Sequence, residues 1–293
     1  DIRAFSGWKA PLRRNEKVYF MKPHELLAEC LKELKSTIVG YEAISRETVA
    51  KLKKLYPAGY RELPQLIYEV RKIKTPEEIR LLKKSAKIAA RGMKAAQETI
   101  HVGVSEIEVA AQAEYEMRKS GSEGVSFPTI VASGRNSWMP HASATRKKIR
   151  KGELVVVDLG AFYKGYASDC TRTFGVSPSK KQQKLVEVVK RAQRSAILKI
   201  RDGVEVGQVC SAAERIIKKA RLLKYSPHGL GHGVGLEIHE PPSLYPGSKE
   251  ILKTGMVTTV EPGVYIPGVG GARWEDMILV KNKPENITLK YLS

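Results

Sequence analysis

Gly152-Glu-Leu-Val-Val-Val-Asp-Leu-Gly160, with Asp169 in the following Gly165-Tyr-Ala-Ser-Asp-Cys-Thr-Arg-Thr-Phe174, decides the fold. Residues 154–159 form a short apolar run rich in β-branched residues and read as a buried strand. An aspartate in such a run is costly unless it is paired, hydrogen-bonded or bound to a metal. Asp158 needs a partner, and Asp169, eleven residues on, is within reach through a hairpin at Tyr163-Lys-Gly165. Two neighbouring carboxylates repel unless a proton or cation lies between them. The pair therefore points to a divalent metal site.

The plan recurs further along the chain. Gly255-Met-Val-Thr-Thr-Val-Glu-Pro-Gly263 echoes residues 152–160 at an offset of 103, which aligns Asp158 with Glu261. Ile100-His-Val-Gly-Val104 echoes Ile200-Arg-Asp-Gly-Val204 at an offset of 100, and Val109, Ala113, Glu114 and Lys119 match Val209, Ala213, Glu214 and Lys219 in the same register. Helix matches helix and strand matches strand, in order. Two similar halves would each supply acidic residues to a shared centre, with Glu275 as the partner of Glu261.

Thr75-Pro-Glu-Glu78 and Ser105-x-x-Glu108 are capping-box signatures that open helices. A strand is expected over 127–133, and a polar loop over 134–150 carries Pro140-His141. The acidic hairpin follows, then helices at about 179–201 and 205–223. This order implies an α+β fold, with an antiparallel sheet inside and helices on one face. Residues 1–72 form a separate short unit, with amphipathic helices over 23–34 and 45–55 and a strand over 36–41, and show no chemistry.

Three of the six histidines fall in Pro227-His-Gly-Leu-Gly-His-Gly-Val-Gly-Leu-Glu-Ile-His-Glu240. Glycine allows close backbone approach there. The stretch lacks the Gly-Lys-Ser/Thr ending of a phosphate loop and the second histidine of a HExxH zinc motif. Two Asp, two Glu and one His form an oxygen-rich set that suits Mn²⁺, Co²⁺ or Fe²⁺ more than structural zinc.

Of 293 residues, 42% are hydrophobic and 28% charged, an ordinary globular composition. No apolar run reaches the length of a membrane span. No signal peptide is visible, and Cys30, Cys170 and Cys210 are too few and too scattered for a disulfide framework, which fits a reducing cytoplasm. Net charge is +20, but the Lys/Arg residues are spread over helices with acids interleaved, which argues against nucleic acid as the main partner.

In that order, Asp158, Asp169, His232, Glu261 and Glu275 resemble the five metal ligands of the pita-bread metallopeptidases (the creatinase/aminopeptidase fold). The surrounding motifs resemble its Xaa-Pro dipeptidase (prolidase) and Xaa-Pro aminopeptidase branch. The resemblance covers about residues 72–293. It implies a pita-bread catalytic domain over 73–293 with an internal pseudo-two-fold duplication. Residues 1–72 would then be the later part of that branch's N-terminal α/β domain, whose first part is absent from this sequence. It also implies two divalent ions, Mn²⁺ or Co²⁺ with Zn²⁺ or Fe²⁺ as the other choices, bridged by Asp158 and Glu275. Asp169 would complete one ion, and His232 with Glu261 the other. Glu261 would take up a proton, His239 and His141 would contact the scissile carbonyl and the leaving group, and His228 would line the substrate side. Arg273 would steady the metals or the substrate. The substrate would be an Xaa-Pro dipeptide or short peptide, the assembly a homodimer, and no membrane would be involved. One departure stands out. Dipeptidases of the branch often carry an arginine shortly after the last histidine, but here the chain runs His239-Glu-Pro-Pro-Ser243. This keeps an aminopeptidase acting on longer peptides, and further off a non-catalytic binding module, as alternatives.

Overall fold

The computed structural model describes residues 4–5, 18–19, 21–63 and 65–291. The rest of the stretch expected as the 1–72 unit lies outside the described residues. By backbone contacts the chain divides into two compact units, residues 1–70 and 71–293. In the first, strands β1 (Ala4–Phe5) and β2 (Val18–Tyr19) pair in parallel. Helix α1 (Pro23–Leu34) starts on a proline, and α2 (Arg46–Leu55) starts on Ser45, whose hydroxyl accepts from the Thr48 N–H. They bury Leu26, Ala28, Val49 and Leu52, and strands β3 (Ile38–Tyr41) and β4 (Gly59–Glu62) pair in parallel. Helix α3 (Leu66–Lys72) leads out of this unit.

The second unit opens with α4 (Pro76–Thr99) and α5 (Glu106–Lys119), and both carry the capping boxes read from the sequence. Strands β5 (Gly124–Val125), β6 (Ile130–Ser133) and β7 (Glu153–Leu159) follow. A small hairpin of β8 (Ala161–Tyr163) and β9 (Tyr166–Ala167) leads to β10 (Cys170–Val176). β7 is flanked by β6 and β10, both antiparallel to it. Val155, Val157 and Leu159 pack into a core with α4 and α5, whereas Leu154, on the other face, joins the core of the second half. Burial on both faces explains the unbroken apolar run. The two-residue alternation puts Asp158 on the face of Leu154, toward the second half. The acidic hairpin differs in detail from the sequence reading. The tight turn belongs to β8 and β9, and Asp158 lies opposite Thr171 in the β7–β10 register, with Asp169 just ahead of β10.

The second half repeats the order with α6 (Lys180–Ile197), α7 (Val206–Lys219), β11 (Gly231–Gly233), β12 (Glu240–Leu244) and β13 (Val257–Val260). Then come β14 (Gly263–Ile266), β15 (Gly270–Arg273), β16 (Asp276–Leu279) and β17 (Glu285–Asn286). α5 and α7 differ in number by 100 at both ends, and the buried positions Leu82, Ser85, Ala89, Met93 and Ala96 of α4 match Gln182, Leu185, Val189, Gln193 and Ala196 of α6. The antiparallel sheet comes in two main pieces, β10–β7–β6 and β12–β11–β13–β16–β17. They meet at the pseudo-two-fold, where the Glu275 N–H donates to the Thr171 carbonyl at 3.1 Å.

A buried carboxylate ties the loop between β6 and β7 to α5. Glu106, fully buried, accepts from the Ser133 N–H and hydroxyl (both 2.7 Å), from Asn136 Nδ2, and from the Thr145 N–H and hydroxyl (3.2 and 2.6 Å). Glu106→Ala strands these donors without an acceptor. It is expected to cost about 3 kcal/mol or more, since each buried unpaired donor costs about 1–3 kcal/mol. Urea denaturation measures this, and a loss below about 1 kcal/mol would show that the loop is held by something else.

Candidate metal centre

The strands deliver the acidic residues to the pseudo-two-fold from both halves. Asp158 comes from β7, Asp169 from the residue before β10, Glu261 from the residue after β13 and Glu275 from the residue before β16. His232 lies in the middle of β11. A Cβ on Gly231 would collide with the Thr259 carbonyl and one on Gly233 with the Pro241 carbonyl, so the flanking glycines let β11 lie flush between its neighbours. Asp158, Asp169, Glu240, Arg273 and Glu275 are all buried.

Ligand atoms of Asp169, His232 and Glu275 lie within 4.8 Å of one another. His232 Nε2 is 3.2 Å from Glu261 Oε1 and 3.5 Å from Asp169 Oδ2. Asp158 is drawn aside by Arg273, whose Nη2 donates to Asp158 Oδ2 at 2.7 Å. Each outer carboxylate oxygen has a fixed partner. The Thr171 hydroxyl donates to Glu275 Oε2 at 2.6 Å, and the Thr259 hydroxyl donates to Glu261 Oε1 at 3.1 Å while accepting the His232 N–H. The opposite oxygens, Asp158 Oδ1, Asp169 Oδ1 and Glu275 Oε1, are buried and accept no hydrogen bond. Such orphaned acceptors fit cations. His232 Nδ1 lies 3.1 Å from the Gly233 carbonyl. Donation there leaves Nε2 as the coordinating nitrogen, the arrangement that orients metal-bound histidines. The donor set therefore fits hard divalent ions.

Electrostatics agree. Burial, with Asp158 alongside, pushes the Asp169 carboxyl up, and burial with Asp169 and Glu261 nearby raises Glu275 well above the carboxylate range. Burial opposes charge on His232, but the hydrogen bonds to Asp169 and Glu261 outweigh it and raise the imidazole to about 10. Burial likewise opposes charge on Glu261, and the bond to His232 outweighs it and lowers that carboxyl. The groups hold protons between them where cations of higher charge would serve the same purpose.

Above the acids opens a cleft of about 450 Å³ lined by Asp158, Asp169, Glu261, Arg273 and four histidines, His141, His228, His232 and His239. The structure thus brings the nine residues singled out in the sequence to one place, with Glu275 beneath the cleft floor. His228 and His239 are lowered by burial, so both are neutral near pH 7, and His239 stands edge-on to His232 at 4.3 Å between ring centres. Adjacent to His239, Glu240 is gripped by Lys74 Nζ at 2.6 Å and Arg71 Nη2 at 2.5 Å, which fixes the end of the His-Gly stretch.

Three residues escaped the sequence reading. The Tyr265 hydroxyl accepts from Arg273 Nη1 at 2.6 Å and lies 3.0 Å from His228 Nε2, and burial raises this phenol to about 12. Thr171 and Thr259 orient Glu275 and Glu261 as described. Strand alternation was the available signal, since Thr171 lies two residues past Asp169 and Thr259 two before Glu261.

The fold has counterparts among known proteins. An Xaa-Pro dipeptidase of Pyrococcus furiosus is 46% identical over 222 residues, which covers 75% of this chain and 64% of that protein, so the chain spans less than two thirds of that relative. The solved structure of an Xaa-Pro dipeptidase from Bacillus anthracis matches with a TM-score of 0.87 at 38% identity, covering 94% of this chain and 79% of that one. An X-Pro aminopeptidase from Thermotoga maritima matches with a TM-score of 0.87 at 31% identity, over 94% of this chain and 80% of that one. The family model for metallopeptidase family M24 matches residues 80–282, the stretch that builds both halves and the acidic centre between them, and the chain belongs to that family.

Proposed function

We propose that the chain is a dinuclear-metal peptidase that hydrolyses the Xaa-Pro bond of dipeptides or short peptides. The observation that carries this is the set of buried, unpartnered carboxylate oxygens around His232, beneath a cleft lined by three further histidines. Asp158, Asp169, His232, Glu261 and Glu275 would hold two divalent ions, Mn²⁺ or Co²⁺ ahead of Zn²⁺ or Fe²⁺. Bound there, such ions supply Lewis acidity and make water a nucleophile near neutral pH.

The remaining work falls to the chain. Glu261, held below the usual carboxylate range beside His232, is free to accept a proton from the attacking water at the oxygen not bonded to Thr259. His239, neutral near pH 7, and His141 line the cleft, where they would contact the scissile carbonyl and the leaving-group nitrogen. His228, steadied by Tyr265, lines the substrate side. Arg273 ties Asp158, Thr171, Tyr265 and the Pro140 carbonyl together, so its role is to hold the acids and the loop of His141 in place.

An Xaa-Pro aminopeptidase acting on longer peptides is the second reading, and one observation favours it. Among the described residues lining the cleft, Arg273 is the sole Lys or Arg, and its nitrogens are engaged as above, which leaves no cation for a dipeptide's terminal carboxylate. A non-catalytic binding module is disfavoured because all five positions carry competent ligands. We further read residues 1–72 as the later part of an N-terminal domain, the assembly as a homodimer, and the compartment as the reducing cytoplasm, in keeping with three free cysteines. Among the described residues no helix is long and apolar enough to cross a membrane. Nucleic acid is not the expected partner.

Hydrolysis of an Xaa-Pro dipeptide and an Xaa-Pro tripeptide, with chelator and then with added Mn²⁺ or Co²⁺, tests the reading. Metal-dependent cleavage is expected, and the ratio of the two rates separates the alternatives. Cleavage that persists in chelator would refute the metal assignment. His232→Ala is expected to lower turnover by at least about a thousandfold with the circular dichroism spectrum retained, and near-normal turnover would remove His232 from the site. Binding of Mn²⁺ at pH 7 is expected to release protons, because the raised Asp169, Glu275 and His232 must give theirs up to coordinate, so affinity falls as pH falls. Calorimetric titration in buffers of different ionisation enthalpy reads this directly, and a binding heat independent of buffer would contradict it.

A further inference from the structure

The duplication offers an internal control for one surface feature. In the first half, three cations on the α4–α5 pair are each satisfied by the protein itself. Lys119 pairs with Glu116 at 3.5 Å, Arg91 donates to the Ser120 hydroxyl at 3.2 Å, and Lys84 lies over the Tyr163 ring at 5.8 Å. At the offset of 100 the cations recur on α6–α7 as Lys219, Arg191 and Lys184. Their partners do not recur. Glu116 becomes Ile216 and Ser120 becomes Ala220 at the same offset, and Tyr163 becomes Ile266 at the strand offset of 103.

The result is a groove of about 420 Å³ lined by these six residues together with Lys181, Leu185, Glu187, Val188, Leu222 and Val269. Its floor is aliphatic, and Lys181, Lys184, Arg191 and Lys219 on its rim are exposed. Among the described residues none of these four cations has an ion pair, hydrogen bond or aromatic ring. The charge contrast extends over the whole helix pairs. α4 and α5 carry eight Lys/Arg against seven Asp/Glu, whereas α6 and α7 carry nine against two.

We infer that this groove is a docking surface for an acidic peptide segment of a partner protein, with carboxylates spaced by aliphatic side chains. Aliphatic residues would fill the floor, and carboxylates would meet the cations that the first half neutralises with Glu116 and its neighbours. A second copy of the chain fits poorly, because like-charged rims would face each other. A nucleic acid fits poorly as well, because its bases seek aromatic stacking surfaces and the floor has none. The surface stands apart from the cleft and does not depend on the proposed peptidase activity.

The test is fluorescence anisotropy with a fluorescein-labelled peptide of Glu-Leu-Asp-Leu repeats. The folded protein is expected to bind it, more weakly as salt rises. The triple variant K184E/R191E/K219E is expected to bind at least about tenfold more weakly. Ile216→Glu, which restores the partner that Lys119 has in the first half, is expected to weaken binding similarly, with the circular dichroism spectrum and peptide hydrolysis retained. The reversals K84E/R91E/K119E on α4 and α5 are expected to leave binding as it is. The inference is overturned by absence of peptide binding or by binding indifferent to Ile216→Glu. Equal binding of a Ser-for-Leu peptide or tighter binding of an oligothymidylate would make the surface a general polyanion site. A dimer that dissociates on Ile216→Glu would assign the groove to a second copy.

Discussion

Four carboxylates crowded beneath one cleft repel one another, and much of the fold is arranged to hold them there. Asp158 and Asp169 come from one half, Glu261 and Glu275 from the other, so the repulsion acts across the pseudo-two-fold and would part the halves if nothing opposed it. Cations and donors at the seam oppose it. Arg273 grips Asp158, and Arg172 donates to the Glu275 carbonyl at 2.5 Å and to Asp276 at 2.6 Å. Gln193 of α6 donates to the other oxygen of Asp276 at 2.9 Å. Breaking one member of such a buried network leaves an uncompensated charge, which is far more costly than losing a surface pair. Asp158 and Glu275 each keep one oxygen fixed, by Arg273 and Thr171, and the other buried without a partner.

The duplicated architecture divides the labour unequally. Both halves use a capped helix pair over a short antiparallel sheet, and each offers an acidic residue at the end of its central strand. The first half adds the loop of His141, pinned through Glu106. The second adds the His-Gly stretch, pinned through Glu240 by Lys74 and Arg71. On their outer faces the halves diverge again. The first neutralises its cations with its own side chains, and the second leaves the equivalent cations above an aliphatic groove.

Much of this was legible in the sequence. The capping boxes at Thr75 and Ser105 set helix starts, the Val-Val-Val-Asp run marks β7, and the offsets of 100 and 103 carry the duplication. Asp158 was legible as a candidate ligand because a carboxylate in a β-branched run has few explanations. Other features were hidden because they depend on tertiary contacts. Nothing in the sequence singles out Tyr265, whose hydroxyl lies between Arg273 and His228 in the fold. Glu106 is one of two acids in the first turn of α5, yet it is fully buried and holds a loop more than twenty residues away in sequence. The interruption of the sheet at the pseudo-two-fold was also invisible, because it depends on backbone pairing between segments about a hundred residues apart. The groove needed both views, since the substitutions are in the sequence but the meeting of Ile216, Ala220 and Ile266 is in the fold.

The central claim is that these five side chains form one centre for divalent ions. Equilibrium dialysis of the intact chain against Mn²⁺, followed by elemental analysis, tests it most directly when Glu275→Gln is run in parallel. The account predicts two ions per chain for the unaltered protein and fewer for the variant, with both remaining folded. Retention of the same number of ions by both proteins, or of none by the unaltered one, would contradict it.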